Sequence, residues 1–265
     1  MIKLTDIYKV FFPGTANEIL ALQKINLQIN AGDFVTVIGS NGAGKSTFLN
    51  VVSGVEMTDA GTLELEGHDV TADPEYKRAA DIGRIDQNPL AGTAAEMTIE
   101  ENLALAYLRG QKRGLRCAVT GKRRTIFREV LAETGLGLEN RLQTPVGTLS
   151  GGQRQALALI MATLALPKLL LLDEHTAALD PKAAEQIMEI TNHLVQAKKL
   201  TTLMITHNME QALHFGNRLI MMHRGRIVLD INQEEKDKLT VSQLIEKFTA
   251  VSGTTFVEDR VLLSL

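Results

Sequence analysis

The sequence predicts an α/β fold: a core with a parallel sheet, an antiparallel β-subdomain and a helical lobe. Three observations carry that expectation. A glycine-rich loop, Gly39-Ser40-Asn41-Gly42-Ala43-Gly44-Lys45-Ser46-Thr47, stands between the apolar run Phe34-Val35-Thr36-Val37-Ile38 and the helix-like Phe48-Leu49-Asn50-Val51-Val52. Two more short apolar runs, Leu169-Leu170-Leu171-Leu172 and Thr202-Leu203-Met204-Ile205, end abruptly in polar residues, as buried parallel strands do. Ile25-Asn26-Leu27-Gln28-Ile29-Asn30 and Leu63-Glu64-Leu65-Glu66 instead alternate with period two, which marks half-exposed antiparallel strands.

The order strand, loop, helix is the context a P-loop needs, so the core is that of a P-loop NTPase. Gly39, Gly42 and Gly44 let the backbone curl until successive N–H groups face an anion, and the following helix adds its positive end. A nucleoside triphosphate is the natural guest. Lys45 reaches its β- and γ-phosphates, the Ser46 hydroxyl ligates Mg²⁺, and Thr47 lies near the α-phosphate.

Ligands of parallel sheets sit at the carboxyl ends of strands. Asp173, closing the leucine run, is placed to hold Mg²⁺, and Glu174 to polarise a water for in-line attack on the γ-phosphate. Two acids after a strand also serve as helix caps or solvated residues, and it is the upstream P-loop that favours chemistry. His207 follows its strand in the same sense and would reach the γ-phosphate, while Asn208 caps a helix from Met209. Gln87, after Arg84-Ile85-Asp86, offers a neutral amide to Mg²⁺ and the attacking water.

The stretch 88–143 has helical character, with Thr98 and Glu101 forming a capping box before Asn102-Leu103-Ala104. Gly151 and Gly152 open a further helix, expected to run to Leu166 and stop at Pro167, whose free N–H groups suit a phosphate. Pro181 opens a long helix to about Lys198-Lys199, and Arg218 to Val228 forms a hairpin turning at Arg224-Gly225. The tail from Glu234 to Lys247 is expected to be helical. The whole chain, 1–265, makes one domain, with core and β-subdomain at about 1–87 and 167–265 and the lobe at about 88–166.

A chain of 265 residues can bury such a core. No apolar run approaches the roughly 20 residues that cross a bilayer, and the first residues lack a basic-then-apolar signal. Cys117 is the sole cysteine, which excludes an intrachain disulfide and fits a reducing cytosol. A formal charge of −3 gives no general attraction to nucleic acid, so a nucleic-acid partner is not expected. Positive charge concentrates at Lys112-Arg113-Gly114-Leu115-Arg116 and Lys122-Arg123-Arg124, as expected of a solvated face or mobile loop, or else of a contact with a partner or lipid headgroups.

Leu149-Ser150-Gly151-Gly152-Gln153 is the most restrictive stretch. With the P-loop, Gln87, Asp173-Glu174, Ala178-Leu179-Asp180 and His207 in this order, the chain resembles the nucleotide-binding subunit of an ATP-binding cassette transporter over nearly its full length. The resemblance implies ATP and Mg²⁺ as cofactors and a homodimer in which Ser150 and Gly152 of one copy cap the γ-phosphate held by Lys45 of the other. Asp180 would couple the two sites, and also reads as the N-cap before Pro181. Adenine would stack on an aromatic near the amino terminus, best matched by Phe11, with Tyr8 and Phe12 close enough to be confused with it.

The resemblance also implies permease partners docking near Gln87 and 88–97, a location at the cytoplasmic membrane face, and indirect work with an extracytoplasmic substrate-binding protein. Residues 84–95 with Asp173-Glu174-His175-Thr176 look similar to importer cassettes assigned to aromatic amino acids. The alternative is a soluble cassette ATPase without a permease, such as the iron–sulfur assembly type. The chain departs from the family pattern at His175, where proline is common, and in 158–164, which lacks a frequent arginine. His175 either tunes Glu174 or fills the turn.

Overall fold

The computed structural model describes residues 1–88, 91–111 and 117–252. The basic run Lys112 to Arg116 and the end of the Gln87 segment at Pro89 lie outside the described residues. In chain order the elements begin with β1 (Ile2–Phe11), β2 (Ile19–Ile29), β3 (Phe34–Gly39), α1 (Lys45–Ser53), β4 (Ala60–Leu65), β5 (His68–Asp69) and α2 (Glu75–Arg78). There follow β6 (Ile82–Ile85), α3 (Ile99–Tyr107), α4 (Gly121–Ala132), α5 (Gly151–Thr163), β7 (Leu169–Asp173) and α6 (Pro181–Lys198). The chain then runs through β8 (Thr201–Ile205), α7 (Met209–His214), β9 (Arg218–His223), β10 (Arg226–Asn232), α8 (Gln233–Lys236) and α9 (Val241–Ser252). These elements form two compact units: Met1–Arg78 with Thr201–Leu265, and Ala79–Leu200.

The first unit holds both kinds of strand the sequence predicts. β2, β1, β4 and β5 form an antiparallel sheet in that order, and β2 buries every second residue towards its end, as its period-two pattern requires. β3, buried along its whole length, lies parallel to both β8 and β9. β9 turns back into β10 through Arg224 (φ 45°) and Gly225 (φ 75°), two successive left-handed residues that match the strand twist of a two-residue hairpin. Ile38, Met209, Leu219, Met221, Ile231, Leu244 and Phe248 close an apolar core under this sheet.

Arg78 closes the first unit's α/β crossing. Its guanidinium is 3% exposed and donates to the carbonyls of Val51 and Val52 at the end of α1, and to those of Thr71 and Asp73. It thereby serves two of the carbonyls at the end of α1, sharing that of Val51 with the Gly54 N–H.

In the second unit β6 and β7 pair in parallel, and α3 to α6 supply the helical part. The Thr98–Glu101 capping box is present. α5 stops at Thr163, three residues short of the expected Leu166. Pro167 disfavours a right-handed helical conformation at Leu166, which sits at φ 49° while its N–H donates to Thr163. The tail is two helices rather than one, because Thr240 and Gln243 cap each other and open α9 afresh.

Candidate functional site: two half-sites for nucleotide

The first unit carries the glycine-rich loop. Gly39, Gly42 and Gly44 take φ 154°, 74° and 97°, so the chain curls between β3 and α1 as the sequence predicts. At Gly39 a side chain is also excluded by space, since a Cβ would lie 2.2 Å from the Met222 carbonyl oxygen. Gly44 precedes α1 without a side-chain cap, which leaves the first amides of the helix suited to an anion. The Lys45 ammonium, 6% exposed, donates to the carbonyls of Gly39 at 2.7 Å and Ser40 at 3.0 Å. Ser40, Asn41, Gly42, Ala43, Ser46 and Thr47 complete the loop, with Asn41, Gly42 and Ser46 exposed.

His207 belongs to the same unit. It lies two residues beyond β8, the strand paired in parallel with β3, so His207 and the loop emerge at the same ends of neighbouring strands. Thr206 and Asn208 fix the turn: the Thr206 hydroxyl accepts from the Asn208 N–H, and the Asn208 side chain caps Gln211. Phe11 ends β1 half-buried, with the Lys9 ammonium 5.4 Å from its ring centre; Phe12, at φ 53°, is 63% exposed. Tyr8 lies further back in β1, its carbonyl accepting from Thr58 and Asp59.

The second unit carries the remaining candidates, all but Glu174 of them lining two concavities. Gln87 and Asp173, from the ends of the paired strands β6 and β7, line one open concavity of about 480 Å³ together with Asp86, Asn88 and Ala178. Glu174 follows Asp173 at φ 47°, a left-handed conformation disfavoured for any residue with a side chain. Ser150, Gly151, Gly152 and Gln153 line the other, of about 430 Å³, with Ala178, Leu179 and Asp180. Space there is close: a Cβ on Gly151 would lie 3.3 Å from the Leu179 side chain and one on Gly152 3.4 Å from that of Ala183.

Ser150 also performs a task the sequence reading passed over. Its hydroxyl caps α5 by accepting from the Gln153 N–H, and the Gln153 side chain returns a bond to the Ser150 N–H. The serine three residues before glutamine was the available signal. Asp180 is the N-cap of α6, accepting from the Ala183 N–H at 3.0 Å with Pro181 at the first helical position.

His175 is 3% exposed, and its Nε2 lies 3.0 Å from the Thr191 hydroxyl on α6. Burial alone pushes the imidazole down to about 4, so the ring is neutral. Of the two readings of this residue, the observed contacts are those of a side chain that fills and fixes the turn.

A glycine-rich loop lies on the first unit and a capped Ser-Gly-Gly helix start on the second. Residues 22–177 match the ABC transporter family. The chain belongs to that family. Within it, the chain is an ATP-hydrolysing nucleotide-binding subunit. It is similar to a tyrosine transport ATP-binding protein of Clostridioides difficile, 43% identical over 94% of this chain and 98% of the relative. It is also similar to an energy-coupling factor transporter ATP-binding protein of Acetivibrio thermocellus, 33% identical over 85% of this chain and 78% of the relative. Among solved structures, a dimeric ATP-binding cassette in a post-hydrolysis state bound to ADP and Pi superposes with a TM-score of 0.74. It is 30% identical and covers 88% of this chain and 99% of its own.

Proposed function

We propose that two copies of this chain close around two ATP molecules and open after hydrolysis, driving a membrane permease that imports an amino acid of the aromatic class. The observation that carries the pairing is the exposure of Ser150 and Gly151 at the start of α5. There a helix end and a hydroxyl proton are available to a phosphate from outside the chain. The dimeric solved relative supports this reading, and the Clostridioides difficile relative's name supports the substrate class.

In this reading the loop amides from Gly39 to Thr47 and the Lys45 ammonium hold the β- and γ-phosphates. Gly151, Gly152 and the Ser150 and Gln153 cap of the second copy close over the γ-phosphate. Asp180 couples the two sites across the interface, and Phe11 stacks on adenine. The resemblance to the family implies that Ser46 would offer a hydroxyl to Mg²⁺, and Gln87 and Asp173 an amide and a carboxylate, oxygen donors of the kind Mg²⁺ takes. Bound Mg²⁺ would supply positive charge to offset that of the phosphates. Glu174 takes a proton from the attacking water, Gln87 orients that water, and His207 donates to the γ-phosphate.

No helix among the described residues is long and apolar enough to cross a membrane, so the work is delivered to another chain. Cytoplasmic helices of the permease would dock at a cavity of about 190 Å³ beside Gln87, lined by Arg84, Asp86, Asn88, Arg109 and Met161. That docking puts the subunit at the cytoplasmic face, with a substrate-binding protein acting across the membrane.

The test is light scattering and ATP turnover on Glu174→Gln and on the unaltered chain. Glu174→Gln with Mg-ATP is expected to be dimeric and nearly inactive, and the unaltered chain to lose specific activity on dilution. A monomer under all conditions, or wild-type turnover by Glu174→Gln, overturns the reading. Affinity capture from detergent-solubilised membranes should recover a multispanning protein. Its absence would favour the soluble cassette class.

A further inference from the structure

Glu174 sits in a backbone conformation that it does not choose for itself. At φ 47° an L-residue lies above its right-handed alternatives, so neighbouring structure must hold it there. On one side β7 ends at Asp173, buried along its length. On the other the chain passes through two turns, with the Ala177 N–H donating to Glu174 at 2.9 Å and the Leu179 N–H to Thr176 at 3.1 Å, before α6 begins. Thr176, Ala177, Ala178 and Asp180 are partly or fully exposed. Buried anchorage in this segment is concentrated in His175.

The anchor is directional. Thr191 donates its one hydroxyl proton to the Ile187 carbonyl at 2.7 Å, within α6, so towards His175 it acts as an acceptor. The imidazole therefore carries its proton on Nε2 and donates to Thr191 across 3.0 Å. Thr191 is fully buried, and α6 is a helix of 18 residues fixed at its start by Asp180. A rigid element thus grips the residue immediately after the glutamate.

We propose that His175, through Thr191, is a positioning residue that holds the Glu174 carboxylate in line for the attacking water, which rests on the base role given to Glu174 above. Proline at such a place restrains the backbone through its ring. Here the restraint comes from a side chain tied to a helix 16 residues away, so it is removable without changing the backbone.

Thr191→Val keeps shape and burial but cannot accept the bond. It is expected to lower kcat about 10-fold with KM for ATP unchanged, because a displaced base loses alignment while the P-loop still binds. Thr191→Ser should restore kcat. In a Glu174→Gln background Thr191→Val should cause no further loss of residual turnover, because the two changes act through one group. His175→Phe, which keeps the buried bulk, should repeat the kcat fall should Thr191→Val fail to fold. Wild-type kcat in Thr191→Val or His175→Phe overturns the proposal, as does a 10-fold fall that persists in the Glu174→Gln background. If Glu174→Gln itself hydrolyses normally, the base assignment fails instead.

Discussion

The Lys45 ammonium is bonded to the carbonyl of Gly39, six residues back in its own loop, at 2.7 Å. With the bond to Ser40, the lysine braces the curl of the loop. Substituting Lys45 by Met therefore removes both a loop brace and the phosphate contact proposed above. A charge-assisted bond is worth about 1.5–3 kcal/mol, so ATP affinity should fall about 10- to 100-fold, with hydrolysis lost. Titration with a fluorescent ATP analogue checks the first figure, and phosphate release the second.

Two glycines of the same loop should respond differently to alanine. At Gly39 the new methyl meets backbone, 2.2 Å from the Met222 oxygen, whereas at Gly42 it meets nothing within 4 Å and only the left-handed φ opposes it. Gly42→Ala should cost about 1 kcal/mol and leave the protein folded. Gly39→Ala should separate β3 from β9 locally and cost several-fold more, about 3 kcal/mol or above. Urea unfolding of the two variants side by side decides it.

Arg78 predicts a large stability effect far from nucleotide chemistry. Arg78→Ala removes the donor to the carbonyls of Val52, Thr71 and Asp73 and leaves that of Val51 with the Gly54 N–H alone, at a cost of about 3 kcal/mol. Arg78→Lys should recover little of it, since a single ammonium cannot span that fork. Differential scanning calorimetry reads both.

His175 gives the fold an acid limit. Its imidazole is held near 4 by burial against an ordinary value of 6.5, so between those values the unfolded chain binds a proton that the folded chain refuses. Above 6.5 the group contributes no pH dependence. Stability falls as pH drops through the window, by roughly 3 kcal/mol in full and about 2 kcal/mol by about pH 5. Replacing His175 with Gln should flatten that part of the profile, measured by urea unfolding at about pH 7.5 and about pH 5.

What the sequence made legible was local. The loop glycines, the Thr98 and Asn208 caps and the Arg224-Gly225 turn are each settled within a few residues, and the structure has them where the pattern puts them. The strand types were legible too, because burial on one face or two writes itself into period. Pairing partners were not: that β3 lies between β8 and β9 depends on segments more than 160 residues downstream. Thr191 was invisible as the partner of His175 for the same reason, since nothing near either residue names the other. The helix stop before Pro167 was misplaced because proline constrains the residue before it and the turn was already needed at Thr163.

The hairpin tip between β9 and β10 closes on the phosphate loop: the Gly225 N–H donates to Ala43 at 2.9 Å, and the Gln23 N–H donates to the Gly225 carbonyl at 2.8 Å. Residue 43 is thus completed by residue 225. During synthesis the loop emerges from the ribosome early but lacks its brace until most of the polypeptide has followed, so a nascent chain halted before that tip would carry the nucleotide motif without a working grip on nucleotide.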